Sequence, residues 1–96
     1  MVSIHVTLTV RNQSDVAAVR ELLAEHAGRS RAEPGCLRFE VCQSNLDPHV
    51  FFLLEAWETR DALDAHREAE AFTTIYAPRV LPLVDRAAHE VTPVAG

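Results

Sequence analysis

Residues 2–10 alternate strictly between apolar and polar side chains. Alternation with a period of two, in a segment rich in β-branched residues, is typical of a β-strand with one buried face. The segment therefore predicts a first strand, whose inward side chains are those of Val2, Ile4, Val6, Leu8 and Val10.

The spacing changes to that of a helix over Val16–Arg31, where apolar residues recur every three or four positions. Ser14 or Asp15 is expected to cap the start of this helix with its side chain. The segment Glu33–Gly35 is expected to end it, because proline cannot continue a helix and glycine permits the positive φ that reverses the chain.

Two more strands are predicted on either side of a polar hairpin loop: Cys36–Ser44, the loop Asn45–His49, and Val50–Glu58. On the second strand, one face is expected to carry Leu37, Phe39 and Val41, and the other face Arg38 and Glu40. Cys36 and Cys42 lack the CxxC spacing of redox and metal sites. On one extended strand they would share a face about 20 Å apart, which predicts two separate buried thiols.

The segment Val50–Trp57 is apolar on both of its faces. One face carries Phe51, Leu53, Glu55 and Trp57, and the other carries Val50, Phe52, Leu54 and Ala56. An antiparallel strand with one solvated face should have polar residues at alternate positions. A chain of 96 residues is too short to cover both sides of its sheet. The pattern therefore predicts a homodimer that packs through its sheet faces.

A second helix is expected to begin after the capping residue Thr59 and to run to about Glu70, with His66 on its inward face. The apolar residues between Phe72 and Val80 predict a further short helical piece, interrupted or bent near Pro78. Pro82 is expected to end this piece. Weak alternation over residues 86–94 predicts a last edge strand.

The predicted order is β-α-β-β-α-β, which is the pattern of the ferredoxin-like α+β fold with an antiparallel sheet. Residues 1–96 form a single domain on this interpretation, because the length leaves no room for a second. The helices of such a fold cover one face of the sheet only.

Composition narrows the classes of function. The net charge is −5 and all nine basic residues are arginines, without a basic cluster interleaved with aromatics, so nucleic acid is not expected as a partner. No apolar run indicates a membrane span or a signal peptide, and a cytoplasmic location is expected. The five histidines lack metal-binding spacing, and no nucleotide-binding or serine-hydrolase motif occurs. We therefore expect neither a metal nor a cofactor.

Two candidates for chemistry share the inward face of the third strand. Desolvation there would raise the pKa of Glu55, which could then act as a general base or orient one. Its alternative role is a structural ion pair. The indole of Trp57 could form a pocket wall and donate a hydrogen bond to a ligand oxygen, or it could simply fill the core.

Two more candidates lie on the helical segments that follow. His66 is on the inward face of the second helix, and an imidazole is suited to proton transfer near neutral pH. The alternative is a packed, hydrogen-bonded core histidine. Tyr76, the only tyrosine, could bind a phenolic or carbonyl oxygen of a substrate, or it could be aromatic filling over the sheet.

A series of motifs resembles the antibiotic biosynthesis monooxygenase family. They are EPGC, the strand LRFEV, an Asn-x-Asp-Pro loop, an apolar strand ending in Glu-x-Trp, and a helix with Ala-Leu-Asp-Ala-His before a closing Phe72. The resemblance covers nearly the whole chain. It implies dimeric α/β barrels built from ferredoxin-like subunits, and activities that include cofactor-free oxygenation of polycyclic phenols, quinol oxygenation, haem degradation and sugar-phosphate isomerisation.

The resemblance also separates these branches. Trp57 matches the pocket tryptophan of the actinorhodin-type oxygenases, where Leu53 replaces an asparagine. His66 matches the helix histidine of the quinol oxygenases, where Ala71 replaces a second histidine. The haem-degrading branch is disfavoured, because a tryptophan stands there in place of His66, its iron-binding histidine falls at Tyr76, and its first-strand asparagine has no match.

We therefore expect a cofactor-independent monooxygenase that uses O2 to oxidise a quinol or polycyclic phenolic compound. His66 is the expected base, Trp57 and Tyr76 the pocket wall and hydrogen-bond donors, and Glu55 the group that orients the base. One alternative is a non-enzymatic dimer that binds a hydrophobic metabolite. Another is an isomerase of a small phosphorylated sugar, for which Arg38 and Arg79 are the candidate phosphate ligands.

Overall fold

The structure, a computed structural model, describes residues 1–96. Its sheet has four antiparallel strands in the order β2-β3-β1-β4. The strands are β1 (Val2–Val10), β2 (Cys36–Gln43), β3 (Val50–Trp57) and β4 (Val84–Val91). The helices are α1 (Val16–Arg31), α2 (Arg60–Glu68) and a π-helix (Phe72–Val80). This arrangement confirms the predicted ferredoxin-like α+β fold.

The helices and the sheet enclose the core on one side of the sheet. The inward residues of β1 from Ile4 to Val10 are buried, as their alternation predicted. On β3 the buried inward residues are Phe51, Leu53, Glu55 and Trp57. The stripe on α1 meets them with Val19, Leu23 and Ala27. None of the helices is long and apolar enough to cross a lipid bilayer.

The other face of β3 is covered within the chain only at its end, where Ala56 is buried. Phe52 remains 38% exposed there, and Val50 and Leu54 are half-buried. The strand is therefore apolar toward both faces of the sheet, and dimerisation remains a prediction.

A β-bulge in β2 makes the predicted facing of this strand partly wrong. Cys36 pairs with Trp57, whereas Arg38 pairs with Ala56, so Leu37 has no partner and its side chain is exposed. An extra residue in one strand moves the side chains of the residues before it to the opposite face of the sheet. Cys36 and Cys42 consequently lie on opposite faces, and both are free, Cys36 half-buried and Cys42 exposed, not buried as expected.

The predicted caps have different outcomes. Thr59 caps α2, because its Oγ1 accepts a hydrogen bond of 3.1 Å from the backbone N–H of Ala62. The capping prediction for α1 was wrong, since neither Ser14 nor Asp15 makes a side-chain capping bond. Instead of a side-chain cap, a 3₁₀ turn at Gln13–Asp15 leads directly into α1.

The two prolines after α2 both lie within helical turns. Pro78 lies inside the π-helix, whose wider turns are rare and often found at functional sites. Pro82 does not end the helical segment but sits in a following 3₁₀ turn, Leu81–Leu83. β4 then starts at Val84, earlier than predicted, and forms the expected edge strand beside β1.

Gly35 sets the turn between α1 and β2. Its φ is +80°, and a Cβ atom added there would lie 2.6 Å from the Cβ of Ala62 on α2. The Gly35 carbonyl accepts a hydrogen bond of 2.8 Å from the N–H of Glu58. This turn therefore packs directly against the start of α2.

We predict that Gly35→Ala lowers the free energy of unfolding by at least about 2 kcal/mol, because the side chain adds both backbone strain and a clash. Gly28→Ala is the matched control: it is helical, and nothing lies within 4 Å of its added Cβ. This control should gain up to about 1 kcal/mol. Urea denaturation measures both, and equal stabilities of the two variants would contradict the packing described here.

Candidate active site

The centre of the site is a hydrogen bond between His66 and Glu33. The Thr59 cap fixes the start of α2, which turns His66 toward the sheet and leaves it 3% exposed. The turn that ends at Gly35 brings Glu33 to the same place. His66 Nδ1 lies 2.7 Å from Glu33 Oε1, and the Glu33 side chain is 17% exposed. A buried imidazole thus contacts a carboxylate that reaches the surface.

The protonation of this pair follows from its surroundings. Burial, with a smaller contribution from the Arg67 guanidinium, lowers the pKa of His66 to about 4, so the ring is neutral at pH 7. Burial also raises the pKa of Glu33. As a carboxylate at pH 7, Glu33 can only accept, so Nδ1–H of His66 must donate to it. The lone pair of His66 Nε2 is then free to accept a proton.

Glu55 does not take the orienting role predicted for it. It contacts Trp57 instead of His66: the indole Nε1–H donates a hydrogen bond of 3.1 Å to Glu55 Oε1. Burial raises the pKa of Glu55, and this hydrogen bond and the Arg86 guanidinium oppose the rise. The carboxylate that orients His66 is therefore Glu33.

Trp57 lies behind His66 within the core. It is fully buried, and its ring centroid is 4.5 Å from that of His66. Because its only donor is used by Glu55, the indole is not free to bond a ligand as predicted. Its contact with the imidazole restricts the ring of His66.

Tyr76 reaches the site from the π-helix. Its hydroxyl oxygen accepts a hydrogen bond of 3.0 Å from Nε of Arg86 on β4, which leaves the phenolic proton free to be donated. Burial raises the pKa of Tyr76, and Arg86 opposes the rise. Sequence reasoning missed Arg86. Its register pairing with buried Leu8 places it on the helix-facing side of the sheet.

His26 on α1 is the other residue that sequence reasoning missed. It is 1% exposed, and its ring stacks on Tyr76 with centroids 4.7 Å apart and an interplanar angle of 11°. Burial and then the neighbouring His66 lower its pKa to about 4, and the Ala71 backbone opposes this. The signal was in the sequence: position 26 lies three and seven residues after the buried Leu23 and Val19.

These polar groups line one small enclosed cavity of about 10 Å³, roughly the space of one water molecule. The lining residues are Ile4, His26, Glu55, Leu63, His66, Arg67, Phe72, Tyr76 and Arg86. Of the four predicted site residues, three therefore line the cavity, and Trp57 lies behind one of them.

Two larger clefts lie on the surface of the protein, outside this cavity. A cleft of about 410 Å³ also adjoins His66 and carries the carboxylates Glu33, Glu58 and Asp61. A larger one, about 610 Å³, lies between α1 and the β2–β3 loop and contains none of the predicted site residues. Its histidine, His49, has Nδ1 only 2.7 Å from the Val10 carbonyl.

Metal ions and phosphate groups are two other ligands for which binding residues can be sought. No three His, Cys, Asp or Glu side chains are placed to hold a metal ion. Arg38 makes a surface ion pair with Glu40 at 2.7 Å, and neither it nor Arg79 lines the enclosed cavity. The arginines considered for a phosphate group thus lie outside the cavity that contains His66.

The sequence profile of the antibiotic biosynthesis monooxygenase family matches residues 1–78. The chain belongs to this family. No functionally curated protein matches the sequence.

Solved structures agree with this assignment. An antibiotic biosynthesis monooxygenase is 26% identical with a TM-score of 0.89, and the match covers 99% of this chain and 100% of that one. Rv0793 from Mycobacterium tuberculosis is 24% identical, with a TM-score of 0.84 over 100% and 98% of the two chains. SnoaB, a cofactor-independent oxygenase from Streptomyces nogalater, is 17% identical, with a TM-score of 0.84 over 99% and 94%.

Proposed function

We propose that the protein is a cofactor-independent monooxygenase that oxidises a quinol or a polycyclic phenolic compound with O2. The observation that carries the proposal is the neutral His66, whose Nδ1–H is held by Glu33 at 2.7 Å while Nε2 is free. A base in an enclosed cavity, beside a free phenolic donor, is what such a reaction needs. The similarity in fold to SnoaB supports the same reaction class.

The chemistry begins with the removal of a hydroxyl proton from the substrate by Nε2 of His66. The resulting anion is electron-rich enough to transfer one electron to O2, which otherwise reacts slowly with closed-shell molecules. Superoxide and the substrate radical then combine through a new C–O bond to a peroxide anion, which takes the proton back from His66 and becomes a hydroperoxide. Loss of water from it leaves a carbonyl on the ring, so one oxygen atom enters the product and the other leaves as water.

Glu33 and Tyr76 stabilise the charges that develop. The Glu33 carboxylate at Nδ1 favours the imidazolium that forms when His66 takes the proton. The Tyr76 hydroxyl, polarised by Arg86, can donate to the substrate oxyanion. Both groups are held in place before the reaction, so little reorganisation is required.

Substrate entry requires the cavity to open, because about 10 Å³ cannot hold an aromatic ring. Phe72 is the half-buried aromatic residue of the lining, and its ring lies 5.5 Å from His66 and 5.2 Å from Tyr76. It begins the π-helix, whose geometry is less regular than that of an α-helix. We propose that displacement of Phe72 admits the substrate.

A second candidate function is a non-enzymatic module that binds a hydrophobic metabolite. The occupied donor of Trp57 favours it, because this indole is not free to bond a reacting oxygen. Apolar Leu53, in the core beside β1, adds no polar group to the cavity either. Binding of a quinone without oxygen uptake by any quinol would support the module.

We predict that His66→Ala lowers the turnover number for a quinol by at least ~10-fold, a lower bound on the roughly 100- to 10,000-fold that a positioned acid–base group contributes. Glu33→Gln should lower it in the same direction, because the amide cannot stabilise the imidazolium. An oxygen electrode with a panel of hydroquinones measures turnover. Glu68→Ala, exposed on the same helix, is the control and should retain wild-type activity. Unchanged oxygen uptake by folded His66→Ala protein would refute the role of His66.

We further propose that the protein is a homodimer whose copies pack through their open sheet faces. The support is the apolar outer side of β3, with Phe52 38% exposed beside half-buried Val50 and Leu54. On the neighbouring edge strand, Arg38 and Glu40 neutralise each other at 2.7 Å, so no net charge opposes the approach of a second copy.

Sedimentation at micromolar concentrations should show a dimer for the wild type and a monomer for Phe52→Asp, because a carboxylate would be buried in the interface. Leu46→Asp is the matched control: Leu46 is 98% exposed at the hairpin tip and away from the sheet face. This variant should remain a dimer. A monomeric wild type, or a dimeric Phe52→Asp protein, would rule out this interface.

We also propose a cytoplasmic location. The two cysteines are free thiols on opposite faces of one strand, and Cys42 is exposed. Unpaired exposed thiols are more common in a reducing compartment.

A further inference from the structure

Two exposed histidines face each other across neighbouring strands on the open face of the sheet. In the antiparallel pairing of β1 with β4, His5 lies directly opposite His89. Directly opposite side chains point to the same side of a sheet, with Cβ atoms about 4.5–5.5 Å apart. His5 alternates with the buried Ile4 and Val6, so both imidazoles lie on the side away from the helices. The two rings are therefore adjacent and accessible.

Neither imidazole is occupied by another group of the chain. His49 and His66 each use a ring nitrogen in a hydrogen bond, and His26 is buried in the core. The rings of His5 and His89 make no hydrogen bond or ion pair with the protein. A neutral imidazole keeps one nitrogen lone pair, and this nitrogen is a common protein ligand of zinc, copper and nickel. Each ring thus has a free ligand atom.

The surroundings of the pair do not oppose the approach of a cation. The neighbour of His5 on its other side is the apolar Leu54 of β3. The arginines on this face, Arg11 and Arg38, are each paired with a carboxylate, at 3.0 and 2.7 Å. No unpaired positive charge on the open face therefore repels a metal ion.

We propose that His5 and His89 bind one divalent transition-metal ion, of the class Zn²⁺, Ni²⁺ or Cu²⁺, which joins β1 to β4. Two nitrogens that share one zinc ion each lie about 2.0–2.1 Å from it, a separation that opposite side chains can reach. The chain supplies two ligands and leaves the other positions to water, consistent with the absence of any group of three ligands. Sequence spacing did not reveal the site, because its ligands come from opposite ends of the chain.

The metal ion adds a link to the edge strand that supplies Arg86. β4 pairs with β1 alone, and Arg86 projects from it toward the helices, where its Nε donates a hydrogen bond of 3.0 Å to the Tyr76 hydroxyl. An ion that both strands hold binds the folded chain and not the unfolded one, so it stabilises the fold. The site lies on the other face of the sheet from the enclosed cavity, and the proposal is independent of the proposed oxidation.

The test is calorimetric titration of the protein with Ni²⁺. His5→Ala and His89→Ala should each weaken binding at least ~10-fold, because two linked ligands bind far more tightly than one. The double variant should lose little more than either single variant, since the loss of one ligand already breaks the chelate. Cys42→Ser, which removes the exposed thiol of the same face, and His49→Ala are controls that should bind like the wild type.

Urea denaturation gives a second measurement. Ni²⁺ should raise the urea concentration at the midpoint of unfolding for the wild type and leave the double variant unchanged. Circular dichroism confirms that each variant is folded before the titration.

Two independent surface histidines would give a different result. Each substitution would then remove part of the binding, and the losses would add in the double variant. This additive pattern would overturn the proposal, and so would unchanged Ni²⁺ affinity in folded His5→Ala or His89→Ala protein. A wild type that Ni²⁺ does not stabilise against urea would also contradict the link between β1 and β4.

Discussion

The site depends on one contact, the hydrogen bond of 2.7 Å between His66 and Glu33. It joins residues 33 positions apart, and its two ends are fixed by different local features. The Thr59 cap starts α2 in the correct phase, and the left-handed Gly35 brings the turn against Ala62. With Nδ1 occupied, the only basic atom that His66 can offer is Nε2. The Thr59 cap and the Gly35 turn thus determine that His66 accepts a proton at Nε2.

The fold could be predicted from the sequence because its signals are local. The alternation in β1, the stripe on α1 and the capping hydroxyl of Thr59 each act within a few residues. The two apolar faces of β3 also follow from period-two spacing alone. Local rules failed at single positions: one extra residue in β2 reversed the facing of Cys36 relative to Cys42, and a 3₁₀ turn replaced the predicted side-chain cap of α1.

The partners within the site could not be predicted in the same way. His66 and Tyr76 are conspicuous in the sequence, but His26 and Arg86 reach the cavity from α1 and β4, and Glu33 contacts His66 from the turn after α1. Their pairings depend on how α1 and β4 pack, which no short motif encodes. Two carboxylates, Glu33 and Glu55, were both able to orient a base, and only the tertiary structure distinguishes between them.

The most direct test of this account is an NMR measurement of the ring nitrogens of His66. Long-range ¹H–¹⁵N correlation at pH 7 should show a neutral ring with the proton on Nδ1 and none on Nε2. On acidification the ring should gain its second proton only near pH 4. A proton on Nε2, or an imidazolium at pH 7, would contradict the account, because His66 would then have no lone pair with which to act as a base.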